Sequence, residues 1–435
     1  MTVAPDRPGR RGLLETLLSP FAEVHPGEAA TALLLMVNVF LLLTCYYIIK
    51  PVREAFILAG QGAEAKSYAA AAMVVLLLFF VPAYSALANR VSRIKLITFV
   101  SLFFIGCLVL FYFLAQAKMP YLGIVFFIWV GIFNVAIIAF GSTLGAIVGA
   151  WVTKALIKPV GINQLLLVAA AVLGACILLS WIVDRREQER TARRKAAEKA
   201  KAPATPSTAG GFRLVLSDRY LLFIALMMLV YNFVNTNGEF ILGKTLSGIA
   251  GKMAAAGQTG GLAPDKFKES FIGSFYAGFF TWVNAITAIV QLFLVSRIFK
   301  WFGVRAALFF MPVIALGGYA LLAAYPVLRI IRAVKIAENS ADYSIQNTAR
   351  QALFLPTSPD AKYKAKAAID TFFVRMGDVL SAGLVFLGAT LAWAPKSFAV
   401  VNVVLVMVWI LLAVLIGREH KKLTKEEGEP LRRTA

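Results

Sequence analysis

Tyr47-Ile-Ile-Lys-Pro-Val-Arg-Glu-Ala-Phe-Ile-Leu58 closes a long apolar run, and it sets Lys50, Arg53 and Glu54 where a bilayer-spanning helix ordinarily carries no charge. The pattern returns as Tyr231-Asn-Phe-Val-Asn-Thr-Asn-Gly-Glu-Phe-Ile-Leu242. An ungapped alignment matches Tyr47 with Tyr231 and Phe56, Ile57 and Leu58 with Phe240, Ile241 and Leu242, so the chain reads as internally duplicated. Both copies combine an apolar segment with polar residues and a helix breaker, Pro51 in one and Gly238 in the other. Paired interruptions of this kind in two halves mark the substrate region of transporters.

Composition agrees. Hydrophobic residues make up 60% of the chain and charged ones only 15%, and the mean hydropathy is +0.76. Apolar runs of about 20 residues recur throughout, each able to cross a hydrocarbon core of about 30 Å. An all-α membrane protein of many spans is expected. The formal charge of +21 raises nucleic-acid binding, but Lys and Arg gather at segment ends and in two exposed stretches, as cytoplasmic flanks of membrane helices do. We therefore expect no nucleic-acid partner. Cys45, Cys107 and Cys176 lie inside apolar runs without metal-ligand spacing, and His25 and His420 lie outside the spans. No catalytic constellation, metal site or bound cofactor is expected.

Residues 1–27 carry Arg7, Arg10 and Arg11, then Leu13, Leu14, Leu17, Leu18 and Phe21 at helical spacing, which predicts an interfacial amphipathic helix rather than a signal peptide. Residues 28–183 form a first bundle. Asp184 to Lys201 holds eight Lys or Arg against four acids, and Ala202 to Gly211 is rich in Ala, Pro, Ser, Thr and Gly. Residues 184–219 are thus a basic, solvated linker. A second bundle follows over 220–417, with a tail at 418–435 carrying Lys421 and Lys422. Basic span ends place the linker and both termini in the cytoplasm, which demands six spans per bundle. Tyr121 to Ile157 tests that count. Its 37 residues contain one charge, Lys154, and a single straight helix of that length would measure about 55 Å. Two spans restore parity but are short, predicting a truncated hairpin turned within Ala139 to Thr143, where Gly141 permits the bend.

Arg329, Arg332, Lys335, Asn339, Asp342 and Gln346 follow one another at three- or four-residue steps and form one polar stripe on a helix. Lys366 and Asp370 add charge to the next span. Facing lipid would cost several kcal/mol per charge, so the stripe lines protein or water. One reading is an aqueous path for a multiply charged anion; the other is helix-to-helix ion pairing. Glu54 and Glu239 fit a gate, a coupling group or a structural pair. Asn232, Asn235 and Asn237 fit ligand contacts or backbone freed by Gly238. Gly238-Glu-Phe-Ile-Leu-Gly-Lys-Thr245 spells a phosphate loop, but that loop needs a preceding strand and curled backbone, neither of which an apolar helix supplies.

At four places the chain resembles the bacterial and plastid ATP:ADP antiporter family: Tyr46 to Glu54, Asn235 to Glu239, Ala337 to Ser344 and Lys362 to Asp370. The resemblance implies a major-facilitator-like fold of two pseudo-repeated six-helix bundles, spans 4 and 5 being truncated here, and exchange of ATP for ADP across the membrane. It implicates positions matching Arg53 and Glu239 and a lysine near Lys366 in nucleotide transport. The chain departs from the family's Asp-Thr-Lys-Asp run, giving Pro51-Val52-Arg53-Glu54 instead. A substrate site of Lys50, Arg53, Glu54, Asn235, Asn237, Glu239, Arg332, Lys335, Asn339, Asp342, Lys366 and Asp370 is expected, for an anionic small molecule in a protein embedded in a lipid bilayer. The alternatives are a carrier of another organic anion and a membrane interaction protein without transport.

Overall fold

The computed structural model describes residues 29–88, 90–137, 143–194, 210–359 and 361–428. Helices connected by short turns make up all of the regular structure among them. Before the linker these are α1 (Ala29–Gly60), α2 (Gly62–Ala88), α3 (Arg93–Gln116), α4 (Leu122–Ile137), α5 (Thr143–Leu156) and α6 (Gln164–Arg194). A short α7 (Gly211–Ser217) leads into α8 (Arg219–Ala255), α9 (Pro264–Ile289), α10 (Val295–Ala324), α11 (Leu328–Ala341), α12 (Asn347–Ala352), the single turn α13 (Lys366–Ala368), α14 (Val374–Thr390) and α15 (Pro395–Gly428). Wider π-turns lie at Val290–Leu294, Asp342–Gln346, Ala361–Ala365 and Ile369–Phe373.

Among the described residues, eight helical stretches are long and apolar enough to cross a membrane. One of them, Pro264–Ala324, has 61 residues and bends at Gly303, whose φ of 73° and ψ of 173° suit glycine alone. Local signals set the ends. The Asp218 carboxylate accepts from the Tyr220 and Leu221 amides at 2.8 and 3.1 Å, capping α8. Lys118 and Tyr121 take positive φ on either side of Pro120 in the tight turn after α3. Large apolar side chains such as Phe79, Phe99, Leu178 and Leu292 point outward, as a lipid-facing surface does.

α1 runs unbroken through Pro51 and α8 unbroken through Gly238, so the polar residues and breakers interrupt the apolar pattern and not the helices. Proline removes the donor that would reach the carbonyl four residues back. That carbonyl, of Tyr47, accepts instead from the Thr153 hydroxyl of α5 at 3.4 Å. Gly238 has another use. A Cβ there would press on the Tyr319 hydroxyl and lie 3.1 Å from Lys335 Nζ, so the glycine admits polar groups to the surface of α8. Gly238 to Thr245 is helical throughout, and no phosphate loop forms.

The segment 121–157 contains two helices, α4 of 16 residues and α5 of 14. Of the bend expected within Ala139 to Thr143, residues 139–142 lie outside the described residues and Thr143 opens α5; the amphipathic segment 1–27 also lies outside them. The helix before the linker runs on to Arg194 rather than stopping near Val183; its alternating Arg and Glu residues are good helix formers that offer pairs three and four apart.

Helix α1 packs against α5, α6 and α9, and α8 against α14 and α15, while α3 lies on α6 and α10 on α15. Segments on either side of the linker meet where α2 touches α14 and α8, and where α9 touches α1 and α5. The charged interior lies along these meetings.

Candidate functional site

A ladder of alternating charge crosses the interior near the end where α1 stops and α2 begins. Arg53 holds the neighbouring Glu54 carboxylate through Nη2 at 2.5 Å and Nε at 3.1 Å. The other oxygen of Glu54 lies 2.7 Å from Lys66 Nζ on α2. Lys66 also stands 3.8 Å from Glu239 on α8. Glu239 in turn faces Lys335 on α11 at 3.5 Å and accepts from the Asn339 amide at 3.2 Å. Lys335 donates to Asn235 Oδ1 at 3.0 Å and to the Glu338 carboxylate at 2.7 Å. The Tyr319 hydroxyl on α10 closes the series by donating to Glu338 at 2.9 Å.

The charges are taken out of solvent. Lys335 is fully buried and Glu54 and Glu338 nearly so. Coulombic attraction is strong there, yet each group has given up hydration, so the pairs hold only while every member has its partner. Since Arg53, Glu54 and Lys66 precede the linker and Glu239, Lys335, Glu338 and Tyr319 follow it, the ladder ties the two parts of the chain together. A second tie runs beside it with the signs exchanged, from Glu64 on α2 to Lys244 on α8.

Of the expected site residues, Arg53, Glu54, Asn235, Glu239, Lys335 and Asn339 meet in this ladder. Lys50 lies one turn from Arg53 among the rings of Tyr46, Tyr47, Phe280 and Tyr343. Arg332 lies over the Phe275 ring at 5.3 Å, one turn from Lys335. Asp342 opens the π-turn Asp342–Gln346 that follows α11. The rest are elsewhere. Asn237 points to the opposite side of α8, where it donates to Asn402 Oδ1 at 2.7 Å and to the Phe398 carbonyl at 3.3 Å. Lys366 donates to Gln351, and Asp370 lies 4.0 Å from Arg350; Gln351 follows Lys335 by 16 residues, about 24 Å along a helix axis. Asn232 and Thr236 donate to Asp378 at 2.8 and 2.7 Å, binding α8 to α14.

Lys66, Glu338 and Tyr319 were not expected. Glu338 is three residues after Lys335, a spacing that pairs side chains on a helix. Counting the stripe through 335, 339 and 342 passed over it. Lys66 looked like a charge at a span end, and Tyr319 like one more aromatic in an apolar helix. Among the described residues no cluster of three or more His, Cys, Asp or Glu is placed to hold a metal ion.

Comparison with solved structures gives this helical arrangement a precedent. The nucleoside transporter NupG matches with a TM-score of 0.58 at 13% identity, over 89% of this chain and 98% of that one. A bacterial homologue of the iron transporter ferroportin in an inward-facing state gives 0.57 at 11% identity, over 89% and 98%. A POT family transporter in complex with 5-aminolevulinic acid gives 0.57 at 10%, over 89% and 96%. The chain shares the helical fold of these three solved structures.

Sequence comparison agrees on the class. The family model described as Major Facilitator Superfamily matches residues 133–336, and that described as TLC ATP/ADP transporter matches residues 269–420. The ADP,ATP carrier protein 1 of Chlamydia muridarum (strain MoPn / Nigg) is 23% identical over 278 residues, 58% of this chain and 49% of that protein. The protein of the same name from Chlamydia trachomatis serovar D is 24% identical over 169 residues, 33% of this chain and 32% of that one. The chain therefore matches about half the length of the first relative and about a third of the second. Distant kinship to ADP,ATP carrier sequences is what these values show, and all the named proteins are carriers or transporters rather than enzymes.

Proposed function

We propose that this chain is a secondary transporter exchanging nucleotides, ATP for ADP, by alternating access between two matched six-helix halves. The observation that carries the reading is the charge ladder. In a membrane interior, where charge is costly, it joins five helices from both sides of the linker through contacts that can be broken one at a time. Lys50 and Arg332 stand beside it without a carboxylate partner among the described residues, leaving positive charge for an anionic solute. The twelve-crossing count supports the same architecture. Eight long stretches among the described residues, one of them divided at Gly303, together with α4, α5 and α11, supply the crossings that six per half require.

With both termini and the linker in the cytoplasm, the ladder lies toward the outer face, and the protein stands closed on that side. The described parts of α4 and α5 measure about 24 and 21 Å at 1.5 Å per residue, and the stretch Tyr121 to Ile157, at about 55 Å in all, leaves each of two spans short of a hydrocarbon core of about 30 Å. Their counterparts extend over Leu328–Ala352 and Ala361–Thr390. We read the short pair as an internal deletion that notches the cytoplasmic side and slows exchange.

The test is uptake of radiolabelled ATP into proteoliposomes with and without internal ADP. Stimulation by internal ADP supports exchange; uptake of another organic anion in its place supports a different carrier of the same fold, which the departure at Pro51-Val52-Arg53-Glu54 favours; no flux of any solute supports a membrane protein that does not transport. In the same assay, inserting about ten polar and basic residues at Gly141 should raise the exchange rate several-fold. Equal rates with and without the insertion would count against the deletion.

Arg332→Ala should weaken anion binding about tenfold, roughly 1.4 kcal/mol, with yield and melting temperature unchanged, because no acid depends on that guanidinium. A variant that unfolds would assign Arg332 to structure instead.

A further inference from the structure

Lys50 is the one buried cation of the ladder region with no direct ion pair among the described residues; its nearest neighbours are rings and a hydroxyl. It is 8% exposed, and its ammonium donates to the Tyr343 hydroxyl at 3.3 Å. Phe280 presents its ring face at 4.1 Å, with Tyr47, Tyr343 and Tyr46 at 5.2, 5.7 and 5.8 Å. The ladder's nearest carboxylates make their direct contacts elsewhere. Glu54 is held by Arg53 and Lys66, and Glu239 by Lys66 and Lys335. An ammonium carries three donors and among the described residues uses one, so the box leaves hydrogen-bonding capacity for an incoming acceptor.

Tyr343 differs from the other rings. Tyr46, Tyr47 and Phe280 are buried, whereas Tyr343 is 37% exposed, so it separates Lys50 from the accessible interior. It belongs to the π-turn Asp342–Gln346, a helical defect of the kind found at functional sites. Lys50 lies on α1 and Tyr343 beyond α11, so their hydrogen bond also joins the parts of the chain before and after the linker.

We propose that Lys50 is the subsite for the anionic group of the solute, a phosphate or carboxylate of a small organic anion, and that this group enters by displacing the Tyr343 hydroxyl. This rests on the reading of the chain as an anion transporter and adds the cation that receives the charge and the side chain that guards it. The incoming oxygen supplies the negative charge the box lacks. Binding then releases one of the contacts between the two halves, so occupancy and the freedom of the halves to move are linked.

Thermal melting of the purified full chain in detergent, with added ATP, ADP, inorganic pyrophosphate or citrate, tests this. At least one anion is expected to stabilise the wild-type protein, and Lys50→Gln is expected to remove every such shift. Tyr343→Phe keeps the ring but removes the hydroxyl that competes for Lys50, so its apparent affinity is expected to rise about threefold to tenfold. That increase is the opposite of what loss of a merely structural contact would give. A shift by pyrophosphate or citrate, with none by ATP or ADP, supports the subsite and sinks the nucleotide reading. Absence of any shift in the wild type, an undiminished shift in Lys50→Gln, or weaker binding by Tyr343→Phe overturns the subsite. If Lys50→Gln does not fold, the direction of the change in Tyr343→Phe decides.

Discussion

Replacing Lys335 with methionine should destabilise the protein by about 3–5 kcal/mol, the range for removing one member of a buried ion pair. The side chain is fully buried and serves two acids, Glu338 at 2.7 Å and Glu239 at 3.5 Å, together with Asn235. Methionine fills much of the same volume, so little of the loss comes from a cavity. The damage comes from the carboxylates left behind. Glu239 keeps the Asn339 amide and a longer contact to Lys66, but Glu338 keeps only the Tyr319 hydroxyl. The melting midpoint in detergent should fall by about 3–6 °C. Adding Glu338→Gln to Lys335→Met should recover more than half of the loss, because the orphaned charge goes with it. A single variant that melts with the wild type would mean that Lys335 is hydrated in the membrane and the ladder is not a dry network. A double variant no better than the single one would place the cost on Glu239.

The elements that hydropathy controls were legible in the sequence. Long apolar runs gave the spans, whereas the bend at Gly303 depends on a residue able to take positive φ. The stretch around Arg53 and Glu239 was legible as a site because its charges contradict their surroundings. Partners across helices were not. Lys66 sits in the second turn of α2, where a charge ordinarily meets water, and only packing against α1 and α8 makes it the cation between Glu54 and Glu239. What Pro51 and Gly238 do inside their helices was not legible for the same reason. Each is a breaker in isolation, but Thr153 answers the carbonyl that Pro51 leaves free, and Tyr319 and Lys335 occupy the space that Gly238 opens. Asn237 shows the limit of reading a polar cluster as one site. Asn235 and Asn237 are two residues apart, which on a helix turns them to different faces, one to Lys335 and the other to Asn402.

Gly377→Val should prevent the helices after the linker from packing, with a loss of about 3 kcal/mol or more, beyond the usual range for an overfilled core because backbone has to move. A Cβ at Gly377 would lie 2.7 Å from the Phe233 amide nitrogen, 2.8 Å from the Leu229 carbonyl oxygen and 2.9 Å from Asn232 Cβ. That contact brings α14 close enough to α8 for Asn232 to donate to the Val374 carbonyl at 2.7 Å and to Asp378. Between membrane helices, such close approach is what small residues provide. Gly149 on α5 does the same before the linker. Its Cβ would stand 2.5 Å from the Thr44 carbonyl oxygen and 2.9 Å from Tyr47 Cβ on α1, and Tyr47 is the residue that the repeat matches to Tyr231 of α8. Under the proposed duplication these are one crossing occurring twice, so Gly149→Val should cost as much as Gly377→Val. Gly383 supplies the control on α14 itself, since a Cβ there meets nothing within 4 Å. Size-exclusion profiles and melting midpoints in detergent read the outcome. Both crossings should fail while Gly383→Val behaves as the wild type. Tolerance of valine at Gly149 alone would show that the first crossing is looser than the second and that the two halves do not share this packing.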